Sequence, residues 1–249
     1  MRSFAANTAA IFRREMASYF LSPIAYVVIC LFVFVNGWIF YYNSFHFHDN
    51  PQQIDLVLYG LFGWVPFWSL FLSPIITMRL LAEEKRSGTL ESLMTAPVTE
   101  AQVVAGKFLA AEAFFLLIWS TLLIHVGILW TLGRPDLGPV AAVFIGLAGV
   151  GAAMNGLGLL ASALTRNQII AVIVAFIGSL FLILLDMLRQ LFPKDAQADR
   201  FFDYVGIYSH FNREYYRGVV DLRFLALYLC LAAVFLYFSV RALGRRGWR

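Results

Sequence analysis

Glu83-Glu84-Lys85-Arg86-Ser87-Gly88-Thr89-Leu90-Glu91-Ser92-Leu93-Met94-Thr95-Ala96-Pro97-Val98 is the one sizeable charged segment between long apolar runs in the first two-thirds of the chain. Leu90, Leu93, Met94 and Pro97 recur at i, i+3, i+4 and i+7, which lays one apolar stripe along a helix of about two turns. Ser87, Gly88 and Thr89 can open that helix, and Pro97 ends it. A short amphipathic helix carried on a loop between two membrane spans suits docking into a groove of a soluble partner. An ordinary solvated loop is the alternative, and the sequence on either side bears on the choice.

Outward from this segment, composition sets the class. Hydrophobic residues make up 61% of the 249, charged residues 14%, and Phe occurs 24 times. A soluble domain of this length has no use for so much apolar surface, whereas a helical bundle solvated by lipid requires it. Crossing a bilayer takes about 20 apolar residues. Six segments qualify: 23–42, 56–81, 108–132, 137–164, 168–188 and 222–243. Each must be a helix, because lipid offers no partner to an unpaired backbone group. The expectation is a single all-α membrane domain over 1–249.

Six spans leave both termini on one side, and Lys/Arg bias says which. With the termini inside, the outer side holds Arg134, Arg189, Lys194, Arg200, Arg213, Arg217 and Arg223. The rest of the 19 Lys and Arg, including the basic tail of Arg241, Arg245, Arg246 and Arg249, lie inside. Both termini are therefore expected in the cytoplasm. The net charge of +4 reads as a topology signal rather than as a sign of nucleic-acid binding. The first apolar run starts near residue 21, is too long for a signal peptide and lacks a small-residue cleavage site, so no cleaved leader is expected. Cys30 and Cys230 fall inside spans and read as packing residues, implying neither a disulfide framework nor a metal site.

Residues 3–20 form a helix of a different kind. Phe4, Ala5, Ile11, Phe12, Met16 and Tyr19 gather on one arc, and Arg2, Ser3, Asn7, Arg13 and Arg14 on the other, the pattern of a helix lying in the membrane interface. Ser22-Pro23 then restarts the chain as N-cap and first helical position of span 1. Glu15 interrupts the apolar arc. It either stays wet at the edge or takes a cation from the charged loop, Lys85 or Arg86. Pro66 and Pro74 predict a kinked or broken span 2. In span 4, Gly149/Ala153 and Ala152/Gly156 are small-xxx-small pairs that permit close helix approach, within a subunit or across a dimer. Phe201, Tyr204, Tyr208, Phe211 and Tyr215 recur every three or four residues, so 190–222 is expected to carry one or two short helices on the outer face.

Catalytic chemistry finds little support. His46, His48 and Asp49 come nearest to a metal cluster, with no further ligand close in sequence. His-Glu-x-x-His, Gly-x-Ser-x-Gly and a Walker P-loop are absent from the sequence. No metal, cofactor or ATP site is therefore expected on this chain. Polar residues within the spans are few: Asn36, Glu112, His125, Asn155, and Asp186, which is spaced to pair with Arg189. Such sparseness argues against an ion-coupled pump and for an amphipathic or lipid-like cargo, or a mechanical role. Two rival readings keep a place. One is a lipid-modifying membrane enzyme using Glu112, His125 or the His46/His48 pair; the other is a membrane anchor that only tethers a cytoplasmic machine.

Several of these stretches together resemble a known family. Arg13-Arg14-Glu15 closing the first helix, with Ser22-Pro23-Ile24-Ala25-Tyr26 after it, is similar to the start of a type-2 ABC exporter permease. Arg79, and Ala82 through Val98, resemble that family's signature between spans 2 and 3. Gly106-Lys107, Leu164-Thr165-Arg166-Asn167-Gln168 and Tyr216-Arg217-Gly218-Val219-Val220-Asp221 add to the likeness, which is greatest to permeases of the gliding-motility type. The resemblance implies the six-helix type-2 ABC exporter permease fold, with 3–20 as the connecting helix through Phe4, Ile11, Phe12 and Glu15. It also implies that 88–97 is the coupling helix and 190–222 the external helices. Glu83, Glu84, Lys85, Arg86, Gly88, Thr89, Leu90, Glu91, Leu93, Met94 and Pro97 would then meet a separate cytoplasmic ABC ATPase, which binds the ATP and Mg. A second permease copy or paralogue as dimer partner, contact with membrane lipid, and a place in the bacterial cytoplasmic membrane complete what the likeness implies.

Overall fold

The computed structural model describes residues 4–46, 54–90, 97–133, 135–188 and 204–244, and every regular element among them is a helix. α1 (Phe4–Leu21) stops at Ser22, and α2 (Pro23–His46) starts on a proline, whose missing N–H would be unpaired at that position anyway. α3 (Ile54–Phe62) and α4 (Val65–Thr77) form one interrupted span. Pro66 sits in the first turn of α4, so the break falls just before it, at Gly63-Trp64. Pro74 lies inside α4, yet Met78 N still reaches Pro74 O at 2.9 Å. The remaining elements are α5 (Ala82–Ser87), α6 (Glu100–Ser120), α7 (Leu122–Leu132), α8 (Leu137–Leu164), α9 (Gln168–Leu188), α10 (Ile207–Arg213), a 3-10 turn (Tyr215–Arg217) and α11 (Leu222–Gly244).

Among the described residues six stretches are long and apolar enough to cross a membrane: Pro23–Phe45, Leu56–Ser87, Glu100–Thr131, Leu137–Leu164, Gln168–Asp186 and Leu222–Gly244. They are unequally placed. Of the α8 window 61% is buried, against 17% for α2, α9 and α11, and α8 is the axis on which α4, α6, α9 and α11 lean. Its small residues are the cause. Gly149 lies where a side chain would strike Tyr228, and a Cβ on Gly156 would stand 3.3 Å from Ala232 Cα. The small-xxx-small pairs therefore serve the contact of α8 with α11 inside one subunit. Helices in lipid gain little by hiding apolar surface from one another, so this close fit is what holds them together. Cys30 and Cys230 are not packing residues, as their place in the spans suggested; both lie exposed on the outer faces of α2 and α11.

At one end of the bundle the later part of the aromatic stripe, Phe211 and Tyr215, turns inward, while Tyr204 and Tyr208 stay exposed. Tyr215 is buried with its ring against Gly146, and Tyr216 donates from Oη to Phe62 O at 2.5 Å. Burial raises the Tyr216 hydroxyl above its ordinary value, which keeps it a donor. His210 Nδ1 meets Tyr228 Oη at 2.6 Å and stacks on Phe224 at 3.6 Å. Asp186 accepts from Ser209 N (3.0 Å) and Ser209 Oγ (2.8 Å), so a carboxylate of α9 caps the short α10. The expected pairing of Asp186 with Arg189, and the part of the external segment over 189–203, lie outside the described residues. So do His48 and Asp49.

Candidate functional site

The opposite end of the bundle gathers the charged residues. α6 begins with a capping box: Thr99 Oγ1 accepts from Gln102 N at 3.3 Å, and Gln102 Oε1 accepts from Thr99 N at 2.9 Å. Asn7 on α1 hooks onto the same turn, donating to Pro97 O at 3.3 Å and to Gln102 Oε1 at 3.4 Å. One turn further, Gly106 lets the two helices touch. A Cβ there would stand 2.8 Å from Ile11 Cβ and 3.0 Å from Thr8 O, so only glycine fits.

This approach carries Glu15 onto Lys107. Thr8, Ile11, Glu15 and Tyr19 follow one another at i, i+3 and i+4 spacing along α1, and Glu15 therefore belongs to the face that meets α6. Lys107 Nζ, 1% exposed, lies 2.9 Å from Glu15 Oε1 and 2.9 Å from Glu84 Oε1. Arg14 Nη2 closes the ring at 2.6 Å from Glu15 and 2.7 Å from Glu84. Two cations and two carboxylates thus join α1, α5 and α6 with no net charge. Burial pushes the Glu15 carboxyl up, but Lys107 and Arg14 outweigh it and hold the pKa below its ordinary value. For Arg14 burial acts downward, and the carboxylates of Glu15 and Glu84 raise it overall.

The cation for Glu15 is therefore not Lys85 or Arg86. Successive residues of a helix point about 100° apart, so α5 turns Glu84 toward α1 and α6 while Lys85 faces α8. There Lys85 Nζ donates to Ala163 O. Ser162 completes this second attachment. Its Oγ accepts from Leu81 N (3.0 Å) and Ala82 N (2.9 Å) and donates to Met78 O (3.0 Å), serving the backbone groups freed where α4 gives way to α5. Tyr19 ties α1 to the same corner. Its Oη donates to Ile76 O at 2.9 Å, its ring stacks on Phe114 at 4.5 Å, and Arg79 lies 5.2 Å above it while donating to Ser22 Oγ at 2.8 Å.

The remaining candidates lie around this joint. Glu83 and Arg86 are exposed on α5. Gly88 ends α5 in the left-handed conformation (φ 75°), with Thr89 exposed beyond it and Leu90 partly buried against the core. Pro97 is exposed; Glu91, Leu93 and Met94 lie outside the described residues. Ile11 is buried against α6, while Phe4 and Phe12 line an apolar groove with Leu109, Ala113 and Leu116. Sequence reasoning missed Lys107, Arg14 and Ser162. Lys107 did leave a signal: a lysine entering an apolar span calls for a carboxylate, and Glu15 was a carboxylate in search of a cation. It also missed that Asn155 donates to Glu112 Oε2 at 2.9 Å, joining α8 to α6 within the spans. Among the described residues no group of His, Cys, Asp and Glu is arranged to hold a metal.

A family model described as ABC-2 family transporter protein matches residues 40–197, more than half of the chain, from the end of α2 past the end of α9. The chain matches no curated protein. It belongs to the ABC-2 transporter family and is the multi-pass membrane subunit, the permease, of an ABC transporter.

Proposed function

We infer that the charged joint is where this permease receives force from a separate cytoplasmic ATPase, which holds the ATP and Mg. Residues 88–97 dock in a groove of that ATPase. They pass its closure to α5, which is tied through Glu84 to α1 and α6 and through Ser162 and Ala163 to α8. Pushed from below, α5 acts as a strut that shifts the second and third spans together and opens a path between this subunit and a second copy or paralogue. The observation that carries the reading is the buried Lys107, shared between a carboxylate of the interfacial helix and a carboxylate of α5. A strut needs such a fixed end, and an idle solvated loop does not.

The Lys/Arg bias supports cytoplasmic termini, and with them a cytoplasmic joint in the bacterial cytoplasmic membrane. The scarcity of polar groups inside the spans supports an amphipathic or lipid-linked cargo, or a mechanical task of the kind served by the gliding-motility permeases that the chain resembles. The test is capture in nanodiscs with the ATPase of a neighbouring reading frame, followed by ATP turnover. The expected outcome is stable capture and a changed turnover rate that Leu93→Asp abolishes while the bundle stays folded. Wild-type stimulation by that variant removes the coupling role of 88–97; failure of every candidate ATPase to bind removes the whole reading.

A further inference from the structure

The inner face of α2 holds polar atoms that none of these contacts uses. Asn36 is fully buried and donates within its own helix to Phe32 O at 2.8 Å, but its Oδ1 has no partner. Three more buried atoms around the same face are equally alone: Nε1 of Trp68 on α4, Nε1 of Trp119 on α6 and Nδ1 of His125 on α7. Ring contacts place them along one stretch of α2. Phe32 has Trp68 at 5.9 Å and Trp119 at 5.1 Å, and Phe40, two turns on, has the His125 imidazole at 4.9 Å. Asn36 and Gly37 lie between these two phenylalanines, well inside the membrane-spanning stretch Pro23–Phe45.

The chemistry of the four is complementary. An indole N–H can only donate and an amide oxygen can only accept, while a neutral imidazole protonated on Nε2 accepts at Nδ1. Two donors and two acceptors match the two lone pairs and two protons of water. Lipid can serve none of them, and buried polar groups left over by the protein are ordinarily served by internal water. Gly37 brings the α2 backbone close to the imidazole: a Cβ at that position would meet only His125 Nε2, at 3.8 Å, so the Nδ1 edge is left to the interior.

We propose that α2, α4, α6 and α7 enclose an intramembrane water site, in which a short file of waters accepts from the Trp68 and Trp119 indoles and donates to Asn36 Oδ1 and His125 Nδ1. The groups span two turns of α2, roughly 12 Å of helical rise, which is the length of such a file. The site gives the inner face of α2 an exchangeable set of hydrogen bonds in place of a dry seam. It is independent of the ATPase reading.

The test uses the full chain in nanodiscs, with the four other tryptophans, Trp38, Trp64, Trp130 and Trp248, changed to Phe and the remaining two labelled with 15N. Water-edited NMR is expected to show two indole N–H signals receiving magnetisation from water, both converting to N–D in D2O. Trp68→Phe and Trp119→Phe each remove one signal and assign it. If either variant fails to fold, the two-tryptophan chain still gives the count. Fewer than two water-coupled signals, or two hydrogen-bonded indoles that do not exchange, overturns the proposal.

Discussion

Lys107 holds two carboxylates from two different helices with one buried charge, so its loss is felt twice. Lys107→Ala leaves Glu15 and Glu84 facing one another with only the half-exposed Arg14 between them. Removing one partner of a buried pair costs about 3 kcal/mol, and thermal unfolding in detergent is expected to register a loss of that order. Arg86→Ala, on the exposed side of α5, is expected to stay within about 0.5 kcal/mol of wild type. A double-mutant cycle separates the partners of Glu15. Glu15→Gln with Lys107→Met is expected to couple by at least ~1 kcal/mol, whereas Glu15→Gln with Lys85→Met is expected to be additive. The joint also has a pH dependence of fixed sign. The Glu15 pKa is lower in the folded chain than its ordinary 4.5, so its contribution is whole above that value and is lost as pH falls through the depressed one. Spin labels on α1 and α6 away from the ring are expected to separate on acidification below about 4.5 in the wild type, and Glu15→Gln is expected to lose the part of that response which the Glu15 carboxylate supplies.

At the scale of elements, the contact of α1 with α6 stands on Gly106 as much as on charge. In Gly106→Ala the new methyl meets Thr8 O, a backbone atom in the middle of a helix that cannot step aside. The variant is expected to undock α1 while leaving α6 helical, seen as an increased distance between labels on the two helices with unchanged far-ultraviolet circular dichroism. The helices themselves were legible in the sequence: Ser22-Pro23 restarts the chain, the two prolines mark the broken span, and α1 stands out by its mixed faces. Their partners were legible only in part. Glu15 was visible as an anomaly because a carboxylate in an apolar arc needs a reason. The choice among Lys85, Arg86 and Lys107 depends on the turn of α5, and no spacing within α1 encodes that. Ser162 gave no signal at all, since a serine in a small-residue helix looks the same whether or not it serves a broken backbone across the bundle.

Over the whole molecule, hydropathy finds the spans but inverts their arrangement. α9 is the most apolar span by mean hydropathy and is among the least buried, while the glycine-rich α8 is the most buried. Lipid is the more demanding apolar solvent, and the centre of a bundle selects for small size instead. Cys30 and Cys230 offer a check on which surface faces lipid. In single copies dispersed in detergent, both are expected to react with a lipid-soluble maleimide and neither with a charged one of similar size. The shared lysine has a further consequence, for the order in which the molecule comes into being. Glu15 and Lys107 stand 92 residues apart in the chain, and a ribosome adds about 5–20 residues per second. The first helix therefore waits on the order of 5–20 seconds, its carboxylate paired only with its neighbour Arg14, until the third span arrives with the lysine. A nascent chain whose first helix is still loose is one whose third span has not yet entered the membrane, so closure of the ring marks the arrival of that span, with the three later spans still to come.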